Sequence, residues 1–141
     1  MLARKIEEEE IVDLISFFKF HTGRELSKKR VIEAVRSFPS CIGIIDNEIV
    51  GFAYTLSFAP DILELANIYV APKYRNSFYG TSILFFLEND SILDFQGIIL
   101  VNTSLIENED EKRPALNFYI RNGYNLIAST DSSKVFYKKL R

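Results

Sequence analysis

Hydrophobic residues first fall into a helical rhythm. Ile11, Leu14, Ile15 and Phe18 recur at i, i+3, i+4 and i+7, behind the acidic run Glu7 to Glu10. That spacing predicts an amphipathic helix whose positive end meets carboxylates and which stops at Gly23. Ser27 as N-cap, followed by Val31, Ala34, Val35 and Phe38, predicts a second helix that closes before Pro39. The rhythm then becomes that of strands. Cys41 to Ile45 and Glu48 to Leu56 are rich in β-branched and aromatic residues, and Asp46-Asn47 between them tolerates the positive φ of a hairpin turn. Ile62 to Val70 reads as a third strand ending at Ala71-Pro72, and the loop Lys73 to Gly80 leads into a helix carrying Ile83, Leu84 and Leu87.

Gly97 to Val101 is a short continuous apolar run, the mark of a strand covered on both faces, as parallel strands after a crossover helix are. It is therefore expected to lie beside Ile62 to Val70 and parallel to it. After a polar loop from Asn102 to Lys112, Pro114 suits the first turn of a helix, Leu116, Tyr119 and Ile120 form a buried stripe, and Gly123 caps the end. Tyr124 to Ser129 and Lys134 to Leu140 give a last strand pair around Thr130 to Ser133. The order of elements predicts an α/β fold with a sheet of mixed direction. With no internal repeat, linker or low-complexity tract, residues 1–141 read as one domain.

Composition narrows the function. Seventeen Lys plus Arg against nineteen Asp plus Glu leave a net charge of −2, which argues against nucleic acid and suits a cationic or neutral substrate. The single cysteine, Cys41, excludes an internal disulfide and a Cys-based zinc cluster; the lack of a signal-peptide core points to a reducing cytoplasm. No apolar run approaches membrane-spanning length. Cys41 reads as an ordinary buried thiol and His21 as a helix-terminus residue. The acidic cluster Glu107, Glu109, Asp110 and Glu111 reads as a solvated loop, or as an attractor for a cationic amine.

The segment VAPKYRNSFYGTSIL, Val70 to Leu84, joins a strand to a helix through a loop holding Arg75, Gly80, Thr81 and Ser82. The unpaired N–H groups of a first helical turn favour an anion, and Arg75 offers a fork of donors to a pyrophosphate. With one glycine and no Walker lysine, the segment read alone is also consistent with a structural loop.

Three phrases together resemble the GNAT (GCN5-related N-acetyltransferase) family. IDNEIVGFAY is similar to the family's hairpin, IYVAPKYRNSFYGTSIL to its acyl-CoA motif R/Q-x-x-G-x-G/A, and PALNFYIRNGY to the later helix that bears A-x-x-x-Y and closes with G-F or G-Y. The resemblance implies a mostly antiparallel mixed sheet with a central parallel strand pair and helices on both faces. It implies acetyl-CoA as co-substrate, no metal, and an amine acceptor on a small molecule or peptide, attacked directly within a ternary complex. Ile68, Tyr69 and Val70 would pair with the pantetheine arm, and Arg75, Asn76, Phe78, Tyr79, Gly80, Thr81 and Ser82 would form the pyrophosphate loop.

Tyr119 matches the family's general acid; read alone, it is equally a core residue on a helical stripe. Glu64 is the candidate base, against the plainer reading of a solvated carboxylate near a strand end. Asn67, expected on the opposite face of the strand from Glu64, is the candidate for holding the substrate or the acetyl carbonyl. Two departures stand out: Phe78 occupies the place of the motif's first glycine, and Lys112 replaces the asparagine three residues before Ala115. Phe78 keeps open an alternative, a catalytically inactive domain that binds acyl-CoA or a protein partner. Any of Phe17, Phe18, Phe20, Phe85, Phe86 and Phe95 that proved exposed would point to a homodimer or partner surface.

Overall fold

The computed structural model of the chain describes residues 1–103 and 116–141. Helix α1 (Ile11–Thr22) buries Ile11, Leu14 and Phe18, and ends at Gly23, whose φ of 72° lets its N–H bond back to the Lys19 carbonyl. Glu8–Glu10, in the acidic run, form a 3-10 turn closed by a capping box between Glu7 and Glu10. Helix α2 (Lys28–Ser37) is capped by Ser27, whose hydroxyl accepts from the Arg30 N–H, and buries Val31, Ala34 and Val35.

Strands β2 (Ser40–Ile45) and β3 (Glu48–Ala59) form the expected hairpin, with Asp46 at φ 50° and Asn47 at φ 64°. Positive φ at both central residues is the requirement of a type I′ turn, and Asp and Asn meet it at low cost. Strand β4 (Ile62–Val70) follows, then helix α3 (Tyr79–Ser91) and β5 (Gly97–Thr103). Residues 116–121 form helix α4, and β6 (Asn125–Ser129) and β7 (Ser133–Lys139) complete the sheet. A short strand β1 (Leu2–Arg4), three residues that carry no readable alternation, lies against β2.

Among the described residues the sheet runs β1-β2-β3-β4-β5-β7-β6. Every neighbouring pair is antiparallel except β4 and β5, as the sequence predicts. One face packs Phe52, Tyr54 and Leu56 against Leu14 and Phe18 of α1 and Val31 of α2. The other packs Leu63, Leu65, Ile98 and Phe136 against Ile83, Leu84 and Leu87 of α3. Each fully buried Ile, Leu or Phe contributes about 1.5–3 kcal/mol, so the two layers fix the sheet between them. No helix among the described residues is long and apolar enough to cross a membrane.

The stripe expected on α4 is narrower than its sequence suggests. Leu116 and Tyr119 pack against the α3-side core, but Ile120 is 59% exposed, because it lies about 100° further round the helix. Of the six phenylalanines considered for a partner surface, Phe20 and Phe85 are exposed at 84% and 63%, while Phe18 is buried and Phe17, Phe86 and Phe95 are half-buried.

A candidate acyl-CoA cleft between β4 and β5

The parallel pairing of β4 with β5 is short. It joins Ile62, Leu63 and Glu64 to Gly97, Ile98 and Ile99 and goes no further. Beyond it β4 pairs with β3 and β5 pairs with β7, so the carboxyl-terminal halves of the two strands part and leave a gap. A crevice at the carboxyl ends of parallel strands is where open α/β sheets bind their ligands.

A bulge on β4 lies just beyond the point where the two strands part. Tyr54 pairs with Asn67 but Thr55 pairs with Leu65, which leaves Ala66 as the extra residue on β4. The bulge also changes which side chains share a face. Glu64 stands opposite Leu56 and Asn67 opposite Tyr54, and both partners belong to the α1/α2-side core. Glu64 and Asn67 therefore face the same side of the sheet, not opposite sides as simple alternation predicts; the inserted residue resets the period. Burial raises the pKa of the Tyr54 hydroxyl, and the Asn67 side chain opposite it acts in the other direction.

At the end of β4 the chain turns through Pro72–Tyr74 and Arg75 into α3. Arg75 Nε donates to the Val70 carbonyl at 3.0 Å, and its guanidinium lies over the Tyr69 ring at 5.4 Å. Asn76 takes φ 63° and Phe78, the N-cap of α3, takes φ 64°. Phe78 thus adopts the backbone conformation a glycine would give, and its ring, 82% exposed, points to solvent. Ser82 N–H makes the first helical bond, to the Phe78 carbonyl at 3.0 Å, and no side chain caps the helix. The amides of Tyr79, Gly80 and Thr81 consequently have no place in the helical ladder, and the first turn holds no acidic residue. This end of α3 suits an anion.

Gly80 packs tightly where the two helices meet: a Cβ there would stand 3.3 Å from the Phe118 ring and 3.5 Å from Val70 Cγ2. Phe118 of α4 thus touches the loop, while Tyr119 turns into the α3-side core. The Tyr119 ring lies 5.5 Å from Phe136 and edge-on to Tyr124 at 6.3 Å. Glu64 and Tyr119 accordingly belong to opposite faces of the sheet.

Comparison with known proteins matches the chain to a family and its fold to solved structures. A family described as "Acetyltransferase (GNAT) domain" matches residues 39–126, more than half of the chain. The chain belongs to the GNAT acetyltransferase family. No curated protein matches its sequence. Among solved GNAT structures, the PaiA N-acetyltransferase from Thermoplasma acidophilum in complex with coenzyme A is similar at 17% identity and TM-score 0.76, covering 98% of each chain. The ribosomal-protein-S18-alanine N-acetyltransferase from Escherichia coli is similar at 16% identity and TM-score 0.79, covering 99% of this chain and 93% of that one. A GNAT-like decarboxylase in complex with isobutyryl-CoA is similar at 14% identity and TM-score 0.78, covering 100% of both chains. At these identities the likeness is one of fold.

Cys41 is fully buried, and burial pushes its thiol up to about 12, which keeps it from acting as a nucleophile. His21 sits in the last turn of α1 with its ring against Phe17, Phe20 and Tyr69. Among the described residues no group of three His, Cys, Asp or Glu is placed to hold a metal ion. Glu107, Glu109, Asp110, Glu111, Lys112, Pro114 and Ala115 lie outside the described residues. Sequence reasoning passed over Ala66, Phe118 and the buried Glu88 beneath Tyr124. A bulge leaves no compositional mark, and a carboxylate inside a helix usually faces water.

Proposed function

We propose that residues 1–141 act as one acetyltransferase domain that moves an acetyl group from acetyl-CoA to a primary amine of a small molecule or peptide. What carries the reading is the parting of β4 from β5 next to an uncapped helix N-terminus, in a chain of this family. The amides of Tyr79, Gly80 and Thr81 and the side chains of Arg75 and Asn76 would hold the diphosphate, with Phe78 shaping the turn and Ser82, whose amide and hydroxyl both donate to the Phe78 carbonyl, closing it. Ile68, Tyr69 and Val70, on a strand edge that no described strand covers, would pair with the pantetheine amides as an added strand does.

Acetyl-CoA supplies the activated acetyl group; the chain supplies position and proton management. The two faces of the sheet give the reaction two entrances. α3 and its loop stand on one face, so the nucleotide end approaches there. Glu64 and Asn67 stand on the other, where an amine would arrive. Glu64 accepts, through water, the proton that the amine loses as its nitrogen bonds to the acetyl carbon. Asn67 orients the acceptor. Tyr119, from the α3 side, gives its hydroxyl proton to the sulfur as the carbon–sulfur bond breaks.

Phe78 was the reason to consider an inactive domain. Its glycine-like φ and outward ring support the active reading instead, since the ring turns away from the protein. The test is calorimetry and thermal shift with acetyl-CoA, followed by turnover with a panel of amines. Acetyl-CoA at 100 times its Kd is expected to add about 2.7 kcal/mol of stability. No heat and no shift would overturn the reading.

A further inference from the structure

Glu88 lies in the middle of α3 with only 8% of its surface exposed, among Ile83, Leu84 and Leu87. A buried carboxylate in such a setting costs several kcal/mol in lost hydration, and an apolar side chain of similar volume would usually stabilise as well or better. Its place there therefore points to a use other than stability. The carboxylate accepts from Tyr124 OH at 2.9 Å through one oxygen and from Lys138 Nζ at 3.0 Å through the other. Lys138 Nζ donates also to the Asn122 carbonyl at 2.9 Å and lies 5.7 Å above the Tyr124 ring.

These three side chains come from α3, from the third residue after α4, and from β7, and they converge on the end of α4. That end is closed by a Schellman motif: Gly123, at φ 89°, donates to the Ile120 carbonyl, and Tyr124 N–H donates to the Tyr119 carbonyl at 3.0 Å. Tyr124 thus grips Tyr119 twice, by its main chain and by the edge-on contact of the rings. Burial, and then the Glu88 carboxylate, push the Tyr124 hydroxyl up, so it stays a neutral donor fixed on Glu88.

We infer that Glu88, Tyr124 and the half-buried Lys138 form a device that positions Tyr119 for proton transfer. The inference rests on the role given to Tyr119 above. The three are positioning residues, since none of them is placed against the reacting atoms. Tyr124→Phe tests the device with little risk to folding, because it keeps the ring and removes only the hydroxyl. It is expected to lower kcat about 5- to 10-fold, within the range of couplings between neighbouring groups, and to leave KM for acetyl-CoA within about twofold. In a Tyr119→Phe background the same substitution is expected to change kcat by less than about 1.5-fold, because the group it serves is gone.

A second readout needs neither ligand nor turnover. With tyrosine labelled at 13Cζ, the Tyr119 resonance, assigned by its loss in Tyr119→Phe, is expected to move in Tyr124→Phe and in Glu88→Gln. An equal loss of kcat in both backgrounds, wild-type turnover by Tyr119→Phe, or an unmoved Tyr119 resonance overturns the inference. If the wild-type protein fails to bind acetyl-CoA, the proposed function is what falls, and the resonance still decides whether the network governs Tyr119.

Discussion

Among the described residues, two turns put residues other than glycine at positive φ, and they do so on very different terms. At the β2–β3 hairpin, Asp46 and Asn47 take φ of 50° and 64°, a conformation their short polar side chains tolerate. Sequence preference and local geometry agree there, and the turn does nothing but join two strands. At the entry to α3 the chain asks the same of Phe78, an aromatic residue with no such tolerance, at a cost of about 1–2 kcal/mol. The ring is exposed, so packing does not offset that cost. Local conflict of this kind gathers at functional sites, where surroundings hold a conformation that the residue itself disfavours. In the hairpin the turn serves the fold, whereas before α3 the fold holds the turn.

The strongest way to disturb both regions at once is at Gly51, which lies on β3 beyond the hairpin and against the strand that leads to the loop. A Cβ at Gly51 would collide with the Tyr69 carbonyl and stand 3.0 Å from Val70 Cα. Gly51→Val is expected to cost about 3 kcal/mol in urea unfolding and to weaken acetyl-CoA binding, because β4 must retreat with the residues that meet the pantetheine. A stability unchanged within error would contradict the close packing of β3 on β4.

The next effect separates the two turns. Asn47→Val is expected to destabilise by about 2 kcal/mol, since a β-branched side chain is badly suited to positive φ, and to leave the Kd for acetyl-CoA unaltered. Phe78→Gly runs the other way. Relief of about 1–2 kcal/mol of strain, less the greater chain entropy of an unfolded glycine, leaves a net gain of about 0.5–1 kcal/mol. Acetyl-CoA should bind about threefold more tightly to this variant, equivalent to about 0.6 kcal/mol, because the main chain can come nearer to the diphosphate. Calorimetry on both variants reads the contrast directly, and a weakened Kd in Phe78→Gly would show that the exposed ring itself contributes to binding.

Much of this contrast is legible in the sequence. Period and punctuation located α1, α2, the hairpin, β4, α3 and β5, because each carries an apolar face together with a cap, a glycine or a proline at its end. The parallel pair followed from the unbroken apolar run at Gly97 to Val101. What stayed hidden depends on pairing across space. Strand β1 is only three residues long, and its place is set by β2. The bulge at Ala66, which brings Glu64 and Asn67 to one face, exists only relative to β3. Phe78 looked like an obstacle in a one-dimensional motif; its outward ring is a matter of φ, which sequence does not report. The network under Tyr124 joins residues 88, 124 and 138, far apart in the chain, and no local pattern announces it.

The smallest expected effect lies outside both turns and checks that strain is confined to Phe78. Arg4 of β1 holds Glu10 through two bonds of 2.7 and 2.6 Å, tying the edge strand to the start of α1. The hydrogen bonds from Arg4 hold the Glu10 carboxyl below its ordinary range. A carboxyl so lowered stabilises the fold fully above about pH 4.3, the ordinary Glu value, and loses that contribution as the pH falls through its folded-state value. Glu10→Gln should therefore cost about 0.4 kcal/mol at pH 7, allowing for screening at the part-exposed Arg4, and progressively less as the pH falls through that folded-state value. Its Kd for acetyl-CoA at pH 7 should match that of the wild-type protein, since the tie bears on the sheet edge remote from β5. A deficit that persists undiminished in acid would mean that Glu10 acts through packing and not charge. A shifted Kd would mean that the α3 loop answers to ordinary surface chemistry as well as to the backbone of Phe78, and the contrast between the two turns would lose its edge.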